Sequence, residues 1–148
     1  MASEGKAIDV SQLSLQQLSG VKKQIDEELS HLTQSYAQLR RAMIQFKQSA
    51  SAVAEINPAN KEKKVLVPLT TSLYVPGKLT DVENVLVDIG TGYYVKKTTQ
   101  EADKHYKSKV DYVNKNLETL QQTLEKKQDN ANVVVQIMQA KLSAGEKP

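Results

Sequence analysis

The chain has 148 residues, enough for one domain, but a single Phe, no Trp and a mean hydropathy of -0.49 argue against a large globular core. Charged residues make up 25% with both signs interleaved, the pattern of long solvated helices that bury only a narrow stripe. The formal charge of +3 comes without a dense basic run, which argues against nucleic acid as a main partner, and the absence of Cys excludes disulfides, a thiol nucleophile and thiolate metal sites.

Met1-Ala2-Ser3-Glu4-Gly5-Lys6 lacks the apolar stretch of a signal peptide, and no later segment is long and apolar enough to span a bilayer. Cytosol is the default address, and no membrane partner is expected.

The first predicted element is a helix over 14–57. Ser14-Leu15-Gln16-Gln17 spells a capping box with the N-cap at Ser14, and Leu13 and Leu18 stand at the two positions of a hydrophobic staple. From there Leu15, Leu18, Lys22, Ile25, Leu29, Leu32, Tyr36, Leu39, Met43, Phe46, Ala50 and Val53 recur at spacings of three and four, with Lys22 the charged exception. Such a sustained period of 3.5 is the mark of a coiled-coil seam. Asn57-Pro58 stops it, because proline restricts the residue before it and lacks an N–H.

Two β-hairpins are predicted next, over 64–97. Lys64–Leu69 and Ser72–Leu79 are β-branched, apolar stretches joined through Thr70-Thr71. Asn84–Ile89 and Tyr93–Lys97 are joined through Gly90-Thr91-Gly92, whose glycines permit the positive φ of a tight turn. That turn lacks the third glycine of a phosphate loop and leads into Tyr-Tyr-Val instead of a helix. Pro68 and Pro76 favour edges or bulges. Two short hairpins are not stable alone, and their apolar residues exceed what two slender helices can cover. Leu66, Val67, Leu69, Leu73, Tyr74, Val75, Val85, Leu86, Val87, Ile89, Tyr93, Tyr94 and Val95 are therefore the candidate residues for assembly with other chains. Tyr74, Tyr93 and Tyr94 read as cross-strand packing with a wet hydroxyl in preference to a ligand-stacking cluster.

A second helix is predicted over 98–142. It opens on Thr98-Thr99-Gln100-Glu101, another capping box, and its seam runs Tyr106, Val110, Val113, Leu117, Leu120, Leu124, Lys127, Ala131, Val134 and Met138. Both helices are about 40 residues, or about 60 Å at 1.5 Å per residue, so they are expected to fold back as an antiparallel coiled-coil hairpin with the β-hairpins at its base. The expected register sets Ala50 near Tyr106, Leu39 opposite Leu117, Leu29 opposite Lys127 and Leu18 opposite Met138. The fold class is thus mainly α with a β insert.

Val133-Val134-Val135-Gln136-Ile137-Met138 is apolar all round the helix, more than a seam requires. Gly20, three consecutive valines and Lys22 weaken the same end as a coiled coil. Leu15, Leu18, Val21, Val133, Val135, Ile137, Met138 and Leu142 are the candidate patch of open, adaptable apolar surface for binding another polypeptide. The competing reading has these valines packing on a neighbouring helix. Lys22 and Lys127 read as snorkelling or register-tuning residues ahead of contacts for acidic segments of a bound chain, and Lys141 and Lys147 as solvated charges.

His31 and His105 are off-seam and far apart in the chain, so neither a metal pair nor a catalytic histidine is expected. No G-x-S-x-G, Walker lysine motif or H-E-x-x-H occurs, and no enzyme activity, catalytic residue or cofactor is expected.

The order coiled-coil helix, two β-hairpins, coiled-coil helix resembles alpha-class prefoldin subunits. Val67-Pro68-Leu69-Thr70-Thr71-Ser72-Leu73-Tyr74-Val75-Pro76-Gly77-Lys78-Leu79 and Val85-Leu86-Val87-Asp88-Ile89-Gly90-Thr91-Gly92-Tyr93-Tyr94-Val95 are similar to signature stretches of the eukaryotic members. The resemblance covers about Leu13 to Met138. It implies a hetero-hexamer with a second alpha-class and four beta-class subunits, whose hairpins form β-barrels in a platform from which coiled coils hang. It further implies ATP-independent capture of unfolded actin and tubulin at the free ends, which makes the apolar patch from Leu15 to Val21 and Val133 to Leu142 the candidate client-binding site, and delivery to the cytosolic group II chaperonin. The rival reading is a coiled-coil scaffold or adaptor for one folded partner, which leaves the strand insert unexplained.

Overall fold

A computed structural model describes residues 9–145; the stretch Met1–Lys6 and Lys147, read above from sequence, lie outside them. Besides two single-turn 3-10 helices at Val10–Gln12 and Pro58–Asn60, two α-helices and four strands follow in the order α1 (Leu15–Glu55), β1 (Lys64–Pro68), β2 (Tyr74–Lys78), β3 (Asn84–Gly90), β4 (Tyr93–Thr98) and α2 (Thr99–Ser143). The fold class is mainly α with a β insert, as the periodicities imply.

Both helix starts are set by reciprocal caps. Gln17 N–H donates to Ser14 Oγ at 3.2 Å while Ser14 N–H donates to Gln17 Oε1 at 3.0 Å. Glu101 N–H to Thr98 Oγ1 at 3.2 Å and Thr98 N–H to Glu101 Oε2 at 3.0 Å repeat the arrangement at α2. The end of α1 falls at Glu55, two residues before Asn57. There Asn57 Nδ2 donates to the Ala54 carbonyl at 3.0 Å and Asn60 Nδ2 to the Glu55 carbonyl at 2.6 Å, so two amide side chains occupy carbonyls that the helix leaves orphaned.

The contacts divide the chain into two compact units: a helical unit of residues 9–38 with 116–145, and a hairpin unit of residues 39–115. In the hairpin unit the helical segments run antiparallel, since Phe46 meets Tyr106 at 6.4 Å between ring centroids, while Val53, later in α1, packs with Ala102, earlier in α2.

Each hairpin is its own two-stranded antiparallel sheet. In the first, Leu66 lies opposite Pro76 and Val67 opposite Val75. In the second, Val87 lies opposite Val95 and Asp88 opposite Tyr94, with a bulge between Asp88 and Gly90. The connection of the second is a turn in which Gly90 (φ 108°), Thr91 (φ 50°) and Gly92 (φ 79°) all have positive φ, and Asp88 Oδ1 accepts from Gly90 N–H at 2.8 Å. It is a hairpin turn and makes no helix N-terminus for a phosphate.

The core of the hairpin unit is small. Val53, Val87 and Ala102 form it, with Val85 and Tyr106 packed at its margin. Among the described residues the largest fully buried side chains are Leu18 and Val87, so little apolar area holds the strands to the helices.

Candidate interaction surfaces

The second hairpin divides its apolar residues between two faces. Val85 and Val87 point to the helices, and Val87 is 1% exposed. Leu86, one residue on, is 70% exposed, and Tyr94 and Tyr93 are also largely uncovered. In the first hairpin Leu66, Leu69, Leu73, Tyr74, Val67 and Val75 are all exposed. Of the candidate assembly residues, then, Val85 and Val87 serve this chain's own core, while the rest form an apolar surface that the chain does not cover. Folded proteins rarely leave so many large apolar side chains open on neighbouring strands unless something binds them. Across the ladders Tyr74 stands opposite Pro68, Tyr94 opposite Asp88 and Tyr93 opposite a glycine, and all three tyrosines are more than half exposed.

In the helical unit the candidate client patch separates into a sealed part and an open part. Leu15 and Leu18 are 5% and 0% exposed, and Ala131 and Val134 are buried as well. Leu15 and Leu18 thus fill the seam, and while it is closed they offer nothing to a client. Val21, Val135, Ile137 and Met138 are half-buried, and Val133 and Leu142 are exposed. At 100° per residue Val133 and Ile137 flank the Val134 seam on one side, Val135 and Leu142 on the other. The open apolar surface is two flanking strips, not one stripe. Lys141, expected as a solvated charge, is half-buried.

The seam lysines are matched by acids of this chain. Lys22 Nζ bonds Asp26 Oδ2 at 2.5 Å one turn along α1, and Lys127 Nζ bonds Glu28 Oε2 of the other helix. The second pair agrees with the expected alignment of Leu29 with Lys127 to within one residue. Glu28 was not singled out from sequence, yet a lysine on an apolar seam calls for an acid beside the residue it faces, and Glu28 is that neighbour. The Lys127 bond, then one from Gln24, holds the Glu28 carboxyl below its ordinary value of 4.5. A carboxyl lowered in the folded state stabilises it above the unfolded value, and that contribution is lost as pH falls through the lowered one. Glu28→Gln is therefore expected to flatten the acid limb of thermal stability as pH falls below the ordinary glutamate value, read by circular dichroism.

Gly20 is exposed on α1, and a Cβ there would meet nothing within 4 Å. Gly20→Ala is expected to stabilise the helical unit by roughly 0.5–1 kcal/mol, measurable as a higher denaturation midpoint.

Periodicity also passes over Ile44 and Tyr112, both exposed on the helices of the hairpin unit. Among the described residues no cluster of His, Asp and Glu is placed to hold a metal ion, and no helix is long and apolar enough to cross a membrane. His105 packs edge-on against Tyr106 at 5.4 Å, and burial, then Lys109 and Lys97, push its pKa down.

Comparison with known proteins places this arrangement. The family described as "Prefoldin subunit" matches residues 25–144. This chain belongs to the prefoldin subunit family. Prefoldin subunits are components of a chaperone, not enzymes. The probable prefoldin subunit 5 of Schizosaccharomyces pombe is 47% identical over 146 residues, covering 97% of this chain and 95% of that protein. Prefoldin subunit 5 of Homo sapiens is 40% identical, covering 93% and 89%, and that of Arabidopsis thaliana 34%, covering 96% and 94%. The resemblance read from the insert is to subunit 5 in particular, and these relatives agree with it. A cryo-EM structure of filamentous PFD from Methanocaldococcus jannaschii shares the fold, with a TM-score of 0.66 at 17% identity over 77% of this chain and 94% of that one.

Proposed function

We propose that the chain is an alpha-class subunit of a hetero-hexameric, ATP-independent prefoldin of the cytoplasm, joined through its β-hairpins to a second alpha-class and four beta-class subunits. The observation that carries this reading is the open apolar surface of the hairpins: Leu66 and Leu86 are each 70% exposed, and Val87, beside Leu86, already fills this chain's own core. Covering them requires other chains.

In the same reading the strips carrying Val133 and Leu142 hold unfolded polypeptides, of which actin and tubulin are the expected clients, before transfer to the group II chaperonin. Apolar side chains on two flanks suit a client with no fixed geometry, because each flank engages a segment independently. The test is a purified complex containing this chain, weighed intact and then mixed with chemically unfolded actin. A six-chain mass and suppressed aggregation are expected. A complex that binds one folded partner and leaves unfolded actin to aggregate would mark the chain as an adaptor.

A further inference from the structure

The open strip of Val133 and Ile137 leads into a cleft of different chemistry. Ile137 stands two heptads after Thr123, and Val21 one heptad before Glu28, so each shares a line along its helix with that residue. Thr123 and Glu28 both line a cleft of about 470 Å³ between α1 and α2, together with Glu27, His31, Leu32 and Lys127. Val21, Ile137 and the cleft therefore lie on one side of the helix pair, the side that Val133 shares with Ile137.

The cleft suits a cation carried on an alkyl stem. Leu32 supplies an apolar wall, and the Thr123 hydroxyl is committed to the Thr119 carbonyl at 3.0 Å. The acids around it are mostly engaged: Glu28 accepts from Lys127 and Gln24, Asp26 from Lys22, and Glu125 from Gln121. Glu27 is exposed at the cleft and has no hydrogen bond or ion pair among the described residues. Lys23, one turn before it, and Lys126 neither pair with it nor line the cleft.

We propose that this side of the helical unit selects, among unfolded segments, those that carry an arginine or lysine about three to five residues from an apolar side chain. This deepens the holding role given above and rests on it. The apolar side chain covers Val133 or Ile137, while the cation reaches Glu27 with its stem along Leu32. The spacing follows from the helix. Val133 and Ile137 lie about 9 and 15 Å along α2 from Lys127 at 1.5 Å per residue, a distance that an extended segment crosses in about three to five residues. An acidic residue at the same place in the segment meets the Glu27 carboxylate and is disfavoured.

The test uses the purified complex and two unfolded peptides, each with a photoreactive leucine. One carries arginine about four positions on; the other carries citrulline, its neutral isostere, at the same place. Labelling of this chain is mapped by mass spectrometry. The arginine peptide is expected to label Val21, Val133 and Ile137 about three- to fivefold more than the citrulline peptide, and Leu142 within about twofold of it. The difference should vanish at about 0.5 M salt. Glu27→Gln is expected to remove it, and so is Thr123→Arg, which places a cation of this chain in the cleft, with the native mass unchanged in both. Equal labelling of that side by the two peptides, or an arginine advantage that survives either substitution, overturns the assignment. Labelling by neither peptide overturns it as well if the complex still protects unfolded actin. If that protection is also absent, the holding role falls and this inference with it.

Discussion

Val87→Asp and Leu86→Asp, the same change at adjacent residues, are expected to have opposite effects. Val87 is 1% exposed against Val53 and Ala102, so an aspartate there places an unpaired carboxylate in the buried cluster that joins strand to helices in the hairpin unit. The cost is several kcal/mol, about 4 or more, and exceeds what so few small side chains supply. The expected result is loss of exchange protection across 84–98 and rapid proteolysis there. Leu86→Asp faces water in the isolated chain, where it should shift stability by no more than about 0.5 kcal/mol. Its effect should come on assembly, when burial of the new carboxylate excludes the chain from the complex. A Leu86→Asp chain recovered in the complex at parental yield would remove the outward face of the second hairpin from the interface.

The second large effect is expected in client holding. Serine at Val133, Val135, Ile137 and Leu142 removes the open strips while leaving the buried Val134 and Ala131 in the seam. Val133 and Leu142 are about half exposed already, so a client that covers them gains about 1 kcal/mol from each, and losing both weakens holding about tenfold or more. Aggregation of unfolded actin measured against complex concentration should shift accordingly, with the native mass unchanged. Parental protection by the quadruple variant would assign the strips to packing. The lysines of the seam are poor candidates for the same role, since Lys22 and Lys127 already have Asp26 and Glu28 as partners.

Local chemistry made much of this chain legible in advance. The caps at Ser14 and Thr98 each depend on a residue three positions on, and the turn at Gly90-Thr91-Gly92 on the φ those residues tolerate. The stop after α1 was readable at Asn57-Pro58, but the helix ends two residues earlier because Asn57 and Asn60 fold back onto the Ala54 and Glu55 carbonyls. Its signature stretches likewise carried the family.

What residue order could not supply was burial. Asn84–Ile89 sets Val85, Val87 and Ile89 on one face against Asn84, Leu86 and Asp88 on the other, so its alternation favours an inward Val87, but which of the three apolar residues is sealed depends on Val53 and Ala102, far off in the chain: Val87 is 1% exposed and Ile89 55%. Leu15 and Leu18 spell a seam and an exposed patch equally well, and only packing in the helical unit closed them off. The element boundaries arise from bonds within a few residues and can be read where they are written. The sealed and open surfaces arise from contacts between distant segments, and those exist only once the chain has folded.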